Sequence, residues 1–269
     1  MFKKTILTVA VATLALAQAA KAQTNLQVFY DFGKDRGHVT TTLEGFYMDN
    51  WGNTFFFIDY DYKGLNSDKK NVTPSSTYFE IARCFNFWQN VPVLNGFSLQ
   101  VEYNGGLLLS GPQALPAGSF TGYGINHAFL AGLDYFIHSK NFNNTLNLKV
   151  LYKKILGATS KVPMQFTAVW GMQDLFGLKG LRFSGFADFW WQDQTLFPWA
   201  DNADAGYRDF TKPTDTSFTI ISEPQLWYNV GQWFGCDNLN IGGEVELSLN
   251  FGTLQGFRVR PCAGVKWVF

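Results

Sequence analysis

Glu244 and Glu246 stand two residues apart, as do Arg258 and Arg260, Asp59 and Asp61, Phe55 and Phe57, and Phe29 and Asp31. On an extended chain, residues i and i+2 project from one face. This spacing therefore builds charged and aromatic surfaces rather than a compact nucleophile–base pair. Carboxylates beside flat rings suit a solute that carries a ring and hydroxyls. The ring stacks without base-specific hydrogen bonds, while carboxylates and amides hold the hydroxyls.

Taking the more polar parity of each extended run selects Phe29, Asp31, Glu44, Phe55, Phe57, Asp59, Glu80, Asp188, Trp190, Arg258 and Arg260 as candidate solute-binding side chains. The same parity carries Gln27, Thr42, Asp61, Tyr78, Gln100, Glu102, Asn104, Asp134, Asn147, Lys149, Lys153, Gln165, Thr167, Arg182, Ser184, Glu223, Gln225, Asn229, Glu244, Glu246 and Lys266. Carboxylates dominate the first six runs and the eleventh; bases appear on the seventh, ninth and twelfth. If the runs close into a ring, the last two lie beside the first two. Arg258 and Arg260 can then meet Glu244, Glu246, Asp31 or Glu44. Such ladders either fill a narrow interior or flank a path whose weak, multi-site contacts let a solute leave.

Catalysis is not expected. His127 lies near a strand start with no serine two residues away, His138 adjoins Ser139 at a chain reversal, and His38 falls in the first loop. None makes a nucleophile–base pair. Cys84, Cys236 and Cys262 show no metal-ligand spacing, permit at most one disulfide, and read mainly as small packing residues. No cofactor or metal is expected.

Twelve period-2 runs bounded by Gly, Asn, Asp, Ser and Pro position these side chains. They fall near 26–32, 40–48, 53–62, 76–87, 97–108, 126–138, 145–153, 163–171, 181–192, 217–229, 239–251 and 257–269. All but the first, at nine to thirteen residues, are long enough for a tilted membrane strand. Aromatics make up 17% of the chain, 27 of them Phe, yet no stretch of eighteen apolar residues follows residue 22. Aromatic residues gather at run ends, as in interfacial girdles. Connections after even runs are short, whereas 63–75, 109–125 and 193–216 after odd runs are long. The chain closes on Phe269 with apolar residues at alternate positions before it, resembling the signal read by the outer-membrane assembly machinery. The sequence therefore predicts an all-β, 12-stranded antiparallel transmembrane β-barrel, with an even strand number that leaves no open edge.

Lys3 and Lys4, the apolar run Ile6 to Leu16, and Ala20 and Ala22 around Lys21 read as a secretory signal over residues 1–22, followed by a single barrel over 23–269. Without that segment 18 bases face 21 acids, a net charge of −3. That balance gives no electrostatic case for nucleic acid. The expected partners are the lipid bilayer, lipopolysaccharide, the assembly machinery and a small-molecule solute. In the longest loop, Phe197-Pro198-Trp199 and Ala203-Asp204-Ala205-Gly206-Tyr207-Arg208-Asp209 mix aromatic and acidic groups able to fold over a mouth.

Two segments resemble the outer-membrane nucleoside channel Tsx and its relatives. Gly185-Phe186-Ala187-Asp188-Phe189-Trp190-Trp191 is similar to that family's G-F-x-N/D-F-x-W strand. Tyr78-Phe79-Glu80-Ile81, with Arg83 and Phe85, is similar to its F-x-E-I-x-x-R-F segment with one residue missing. Thr42-Leu43-Glu44, Ala131-Gly132-Leu133-Asp134 and the closing aromatics add weaker matches spread over most of the chain. The missing residue moves Arg83 to the opposite face unless a bulge restores it. The resemblance implies a twelve-stranded barrel and passive uptake of small hydrophilic solutes, with nucleosides as the candidate class. A plugged structural or surface-interaction barrel is the alternative, and an outer-membrane lipid hydrolase a more distant one.

Overall fold

The computed structural model describes residues 23–62, 75–110, 121–202 and 206–269. The expected signal segment 1–22, nearly all of the loop 63–75 and the centre of 109–125 lie outside the described residues.

Thirteen strand segments follow in order: β1 (Gln23–Asp31), β2 (Val39–Asp49), β3 (Gly52–Tyr62), β4 (Ser76–Phe85), β5 (Phe97–Ser110), β6 (Thr121–His138), β7 (Asn144–Ile155), β8 (Met164–Met172), β9 (Leu181–Leu196), β10 (Thr214–Ser222), β11 (Gln225–Asn229), β12 (Leu239–Leu249) and β13 (Phe257–Val268). All pairings are antiparallel, and β13 pairs with both β12 and β1, which closes the sheet. β10 and β11 each pair with β9 on one side and β12 on the other. Ser222 lies opposite Ala187 and Gln225 opposite Ser184, so no register is lost between them. They are two halves of one wall strand, and the barrel has twelve.

The run expected unbroken over 217–229 is interrupted at Glu223–Pro224 because proline has no N–H to give the ladder. The remaining bonds persist: Glu223 N donates to Phe186 O at 3.0 Å and Val245 N to Pro224 O at 3.1 Å. Three of the other boundaries that differ from the sequence reading have local causes. β6 begins at Thr121 rather than near 126, since Gly122 and Gly124 pair with Leu109 and Leu107 of β5 instead of breaking the strand. β9 runs on to Leu196, which leaves 197–213 as the longest described connection. β4 stops at Phe85 because the Asn86 side chain accepts from Trp88 N and donates to Asn95 O, building a local turn. The short-long contrast between the two ends is also weaker than expected: residues 50–51 and 86–96 connect strands at one end, while 32–38, 156–163 and 250–256 at the other are of ordinary length.

The side-chain alternation has two environments. Leu26, Val28 and Tyr30 of β1 are exposed, whereas Asn25, Gln27, Phe29 and Asp31 between them are buried. The outward set continues around the wall through Leu43, Ile81, Leu99, Val101, Leu133, Val150, Phe166, Ile241 and Val265. A sheet that turns its aliphatic side outward and its carboxylates inward is a transmembrane barrel, since water would not stabilise so large an apolar exterior. Trp51, Phe87, Phe142, Phe176, Trp233, Phe234 and Phe269 are all exposed, and they occupy the five turns of one end together with the C-terminus. This is the interfacial belt expected from the run ends.

Candidate solute path through the barrel

Register fixes which side chains meet inside. Phe57 on β3 has Glu44 directly opposite on β2 and Glu80 directly opposite on β4. Its ring lies 6.1 Å from Phe55 and 6.0 Å from Tyr78, so three rings run along the inner face of β3 and β4. Polar neighbours orient the carboxylates. Asn25 Nδ2 donates to Glu44 at 2.9 Å, Thr42 Oγ1 to Asp59 at 2.5 Å, and Tyr78 Oη and Asn104 Nδ2 to Glu80 at 2.7 and 3.1 Å. On the facing arc Thr167 Oγ1 donates to Asp188 at 2.5 Å and Gln225 Nε2 to Glu244 at 2.9 Å. Strands β2–β4 and β9–β11 stand on opposite sides of the twelve-stranded wall. Their inward carboxylates Glu44, Asp59, Glu80, Asp188 and Glu223 are only partly buried, which is consistent with space between the two arcs.

The other two arcs are filled. Phe29 and Trp227 are 3% and 2% exposed and pack with ring centroids 5.5 Å apart and planes tilted 55°, opposite Gly264 and Gly242, with the Lys266 ammonium 4.1 Å over the Trp227 ring. A Cβ on Gly264 would meet Val28 O at 2.4 Å and Phe29 Cδ1 at 2.8 Å. Gly264→Ala is therefore expected to lower barrel stability by about 1–3 kcal/mol, as overpacking does, measured by urea unfolding in lipid vesicles. On the β5–β8 arc Ala128, Leu130 and Leu151 form a buried apolar cluster between polar neighbours. Lys149 Nζ donates to Gln100 at 2.5 Å and Asn147 Nδ2 to both Asp134 oxygens. Lys153 Nζ bonds Gln165 at 2.6 Å and covers the Trp190 ring at 4.0 Å. Of the candidate aromatics, Phe55 and Phe57 are thus offered to the path, while Phe29 and Trp190 have their faces occupied.

At the loop end, Arg260 is 4% exposed and bonds Glu246, as the closed ring suggested, and also Ser248. Its remaining nitrogens bind Asp35 at 2.7–3.2 Å. Burial opposes ionisation of Asp35, but the Arg260 hydrogen bonds and charge outweigh it and hold the carboxyl below its ordinary pKa. Arg36 reaches Glu246 at 2.8 Å and Asp31 at 3.7 Å. Arg258 departs from expectation. Its guanidinium bonds the carbonyls of Phe257 and Gln255 and lies 5.1 Å from the Trp199 ring, with no carboxylate among its described partners. Asp35, Arg36 and Trp227 were absent from the sequence selection. The first two lie outside any strand run, where parity has no meaning, and Trp227 shares the inward parity of Gln225 and Asn229 but was not selected.

Of the loop expected to cover the mouth, residues 203–205 lie outside the described residues, and the described part packs against segment 32–38. Trp199 stacks on Tyr207 at 4.8 Å, and Lys34 bonds Asp201 at 2.5 Å. Arg83 sits on the outer face, opposite Thr54 without a bulge, and bonds Asp49 at 2.8 Å. His127 also faces outward and bonds Tyr103. His38 is buried 3.3 Å from Asp61, a contact whose angle falls short of an aligned hydrogen bond. The Ser139 hydroxyl donates to Asn141 rather than to His138. Cys84, Cys236 and Cys262 are free thiols. Among the described residues no group of three or more His, Cys, Asp or Glu is placed to hold a metal.

These features define a closed membrane barrel with a charged interior. The chain belongs to the family described as a domain of unknown function (DUF5020), which matches residues 22–269. No curated protein matches. Among solved structures, a membrane protein from a study of in-meso crystallization is 9% identical, covering 92% of this chain and 83% of that one, with a TM-score of 0.43. The outer membrane protein Omp33 of Acinetobacter baumannii is 11% identical over 93% and 98% of the two chains, with a TM-score of 0.39. The outer membrane protein opdK of Pseudomonas aeruginosa is 9% identical over 93% and 99%, with a TM-score of 0.37. Likeness at this level decides nothing about function, and the barrel is read from this chain's own strand pairing.

Proposed function

We propose that the protein is an outer-membrane channel for passive uptake of small hydrophilic solutes, with nucleosides as the leading class. The observation that carries this reading is the Phe57 ring flanked across the ladder by Glu44 and Glu80 on a partly exposed inner face. A base stacks on the ring while sugar hydroxyls donate to the two carboxylates, and neither contact is tight enough to trap the solute. Asp59 and Asp188 extend the acceptor surface along the same path.

The inner wall also carries a charge preference. Eleven carboxylates face inward, Asp31, Glu44, Asp59, Asp61, Glu80, Glu102, Asp134, Asp188, Glu223, Glu244 and Glu246, against six bases, Lys149, Lys153, Arg182, Arg258, Arg260 and Lys266. An excess of five negative charges favours cations and neutral solutes over anions.

Reconstituted protein is expected to carry nucleosides into liposomes faster than sugars of equal size. Phe57→Ala should weaken nucleoside block of ion current by about threefold to tenfold, a stacking contact of roughly 1 kcal/mol, with unchanged heat-shift on detergent gels. Equal block in the variant would assign the ring to packing. Equal uptake of sugars and nucleosides would leave an unselective channel. The inserted loop at the mouth favours a second reading, a plugged barrel, which absence of any conductance would support.

A further inference from the structure

The segment 32–38 does not stand away from the barrel as a free loop. It leaves β1, turns at Gly33 and sends Asp35 and Arg36 back to the inner face of β12 and β13. Asp35 takes the Nε and Nη2 sides of Arg260, whose Nη1 holds Glu246, and Arg36 closes the circuit on Glu246 and Asp31. A Cβ on Gly33 would lie 3.2 Å from Arg260 Cγ, so the backbone itself is pressed against the inner wall. The turn is braced by Gly33 N to Asp31 Oδ1 at 2.8 Å, Arg36 N to Gly33 O at 2.9 Å and Gly37 N to Asp31 O at 3.1 Å. Outside this circuit, Lys34 bonds Asp201 and lies 5.8 Å from the Trp199 ring, tying the segment to 197–213.

We propose that residues 32–38 form an inward-folded lid over the external mouth, latched by Asp35–Arg260 and Arg36–Glu246, and that release of this latch sets how far the path opens. Charge-assisted hydrogen bonds shielded from bulk water give a latch its holding power, while a short loop gives it a low cost of movement. The sequence pointed to the longer loop 193–216 as the constriction. The structure assigns the inner position to the shorter loop and makes Trp199 and Asp201 its outer clamp. The clamp explains why Trp199 is stacked on Tyr207 while two cations, Lys34 and Arg258, approach its ring.

The lid rests on the channel reading, so its test uses two readouts on the refolded full barrel. Asp35→Asn with Arg36→Gln removes the latch charges without touching the wall, and the heat-shift on detergent gels verifies folding. Amide exchange at Arg36 and Gly37 should accelerate by about tenfold relative to intrinsic rates. Single-channel conductance should rise about twofold or more. Asp35→Asn alone, a milder change, should give intermediate values of both. Unchanged exchange in the double variant would overturn the latch. Faster exchange with the same conductance as the parent would overturn the gate while leaving the channel. Faster exchange with no current in either protein would defeat the channel reading, and the gate with it.

Discussion

Arg260→Met is expected to lower barrel stability by about 3–5 kcal/mol, the loss found when one partner of a buried ion pair is removed. Methionine fills similar volume, so little of the effect is a cavity. What remains is Asp35 and Glu246 held together at the mouth without their shared cation, in a position where Arg260 was 4% exposed. Arg36 still reaches Glu246 but also has Asp31 to satisfy. Reversible urea unfolding in lipid vesicles measures the loss. A change below about 1 kcal/mol would mean that the mouth is hydrated and the pairs are screened, as at a protein surface.

Val150→Arg tests the opposite face of the wall. Val150 points outward from the middle of β7, paired with Leu133 on β6 and Phe166 on β8, all exposed on the same side. An arginine near the bilayer midplane of a barrel costs about 2–4 kcal/mol. The neighbouring Lys149 points inward on the same strand and bonds Gln100. One residue thus separates a position that excludes charge from one that carries it. If Val150→Arg proved neutral in vesicles, that face would not meet hydrocarbon.

How much of this was legible in the sequence follows from what period-2 alternation encodes. It marks each wall strand and its inward parity, so eleven of the runs map onto single strands and Glu44, Phe57 and Glu80 fall on one inner face as expected. Alternation carries no information about which inner side chains touch. Phe29 was selected as a solute contact, yet glycines on the two intervening strands, β12 and β13, let Trp227 approach it. Nor does alternation reach into connections. Asp35 and Arg36 have no parity, and only the folded loop brings them to Glu246 and Arg260 across more than two hundred residues of sequence. Glu223–Pro224 shows the intermediate case: proline announces a break, but only the register on both neighbours shows that the strand resumes in phase.

On the proposed channel reading, the inner surface lets one barrel be both stable and permeable. Two arcs are consolidated by buried amides, rings and lysines, and the two between them retain the partly exposed carboxylates Glu44, Asp59, Glu80, Asp188 and Glu223, which share no ion pair among the described residues. The filled arcs hold the shape, and in the proposed function the open ones offer solute a charged, ring-lined path. The most direct measurement is the reversal potential of the purified barrel in a planar bilayer under a potassium chloride gradient. Discrete, small-conductance steps with a reversal potential on the cation side are predicted from the inward carboxylate excess; a heat-shifting, correctly folded barrel that passes no current, or one that prefers chloride, would contradict the account.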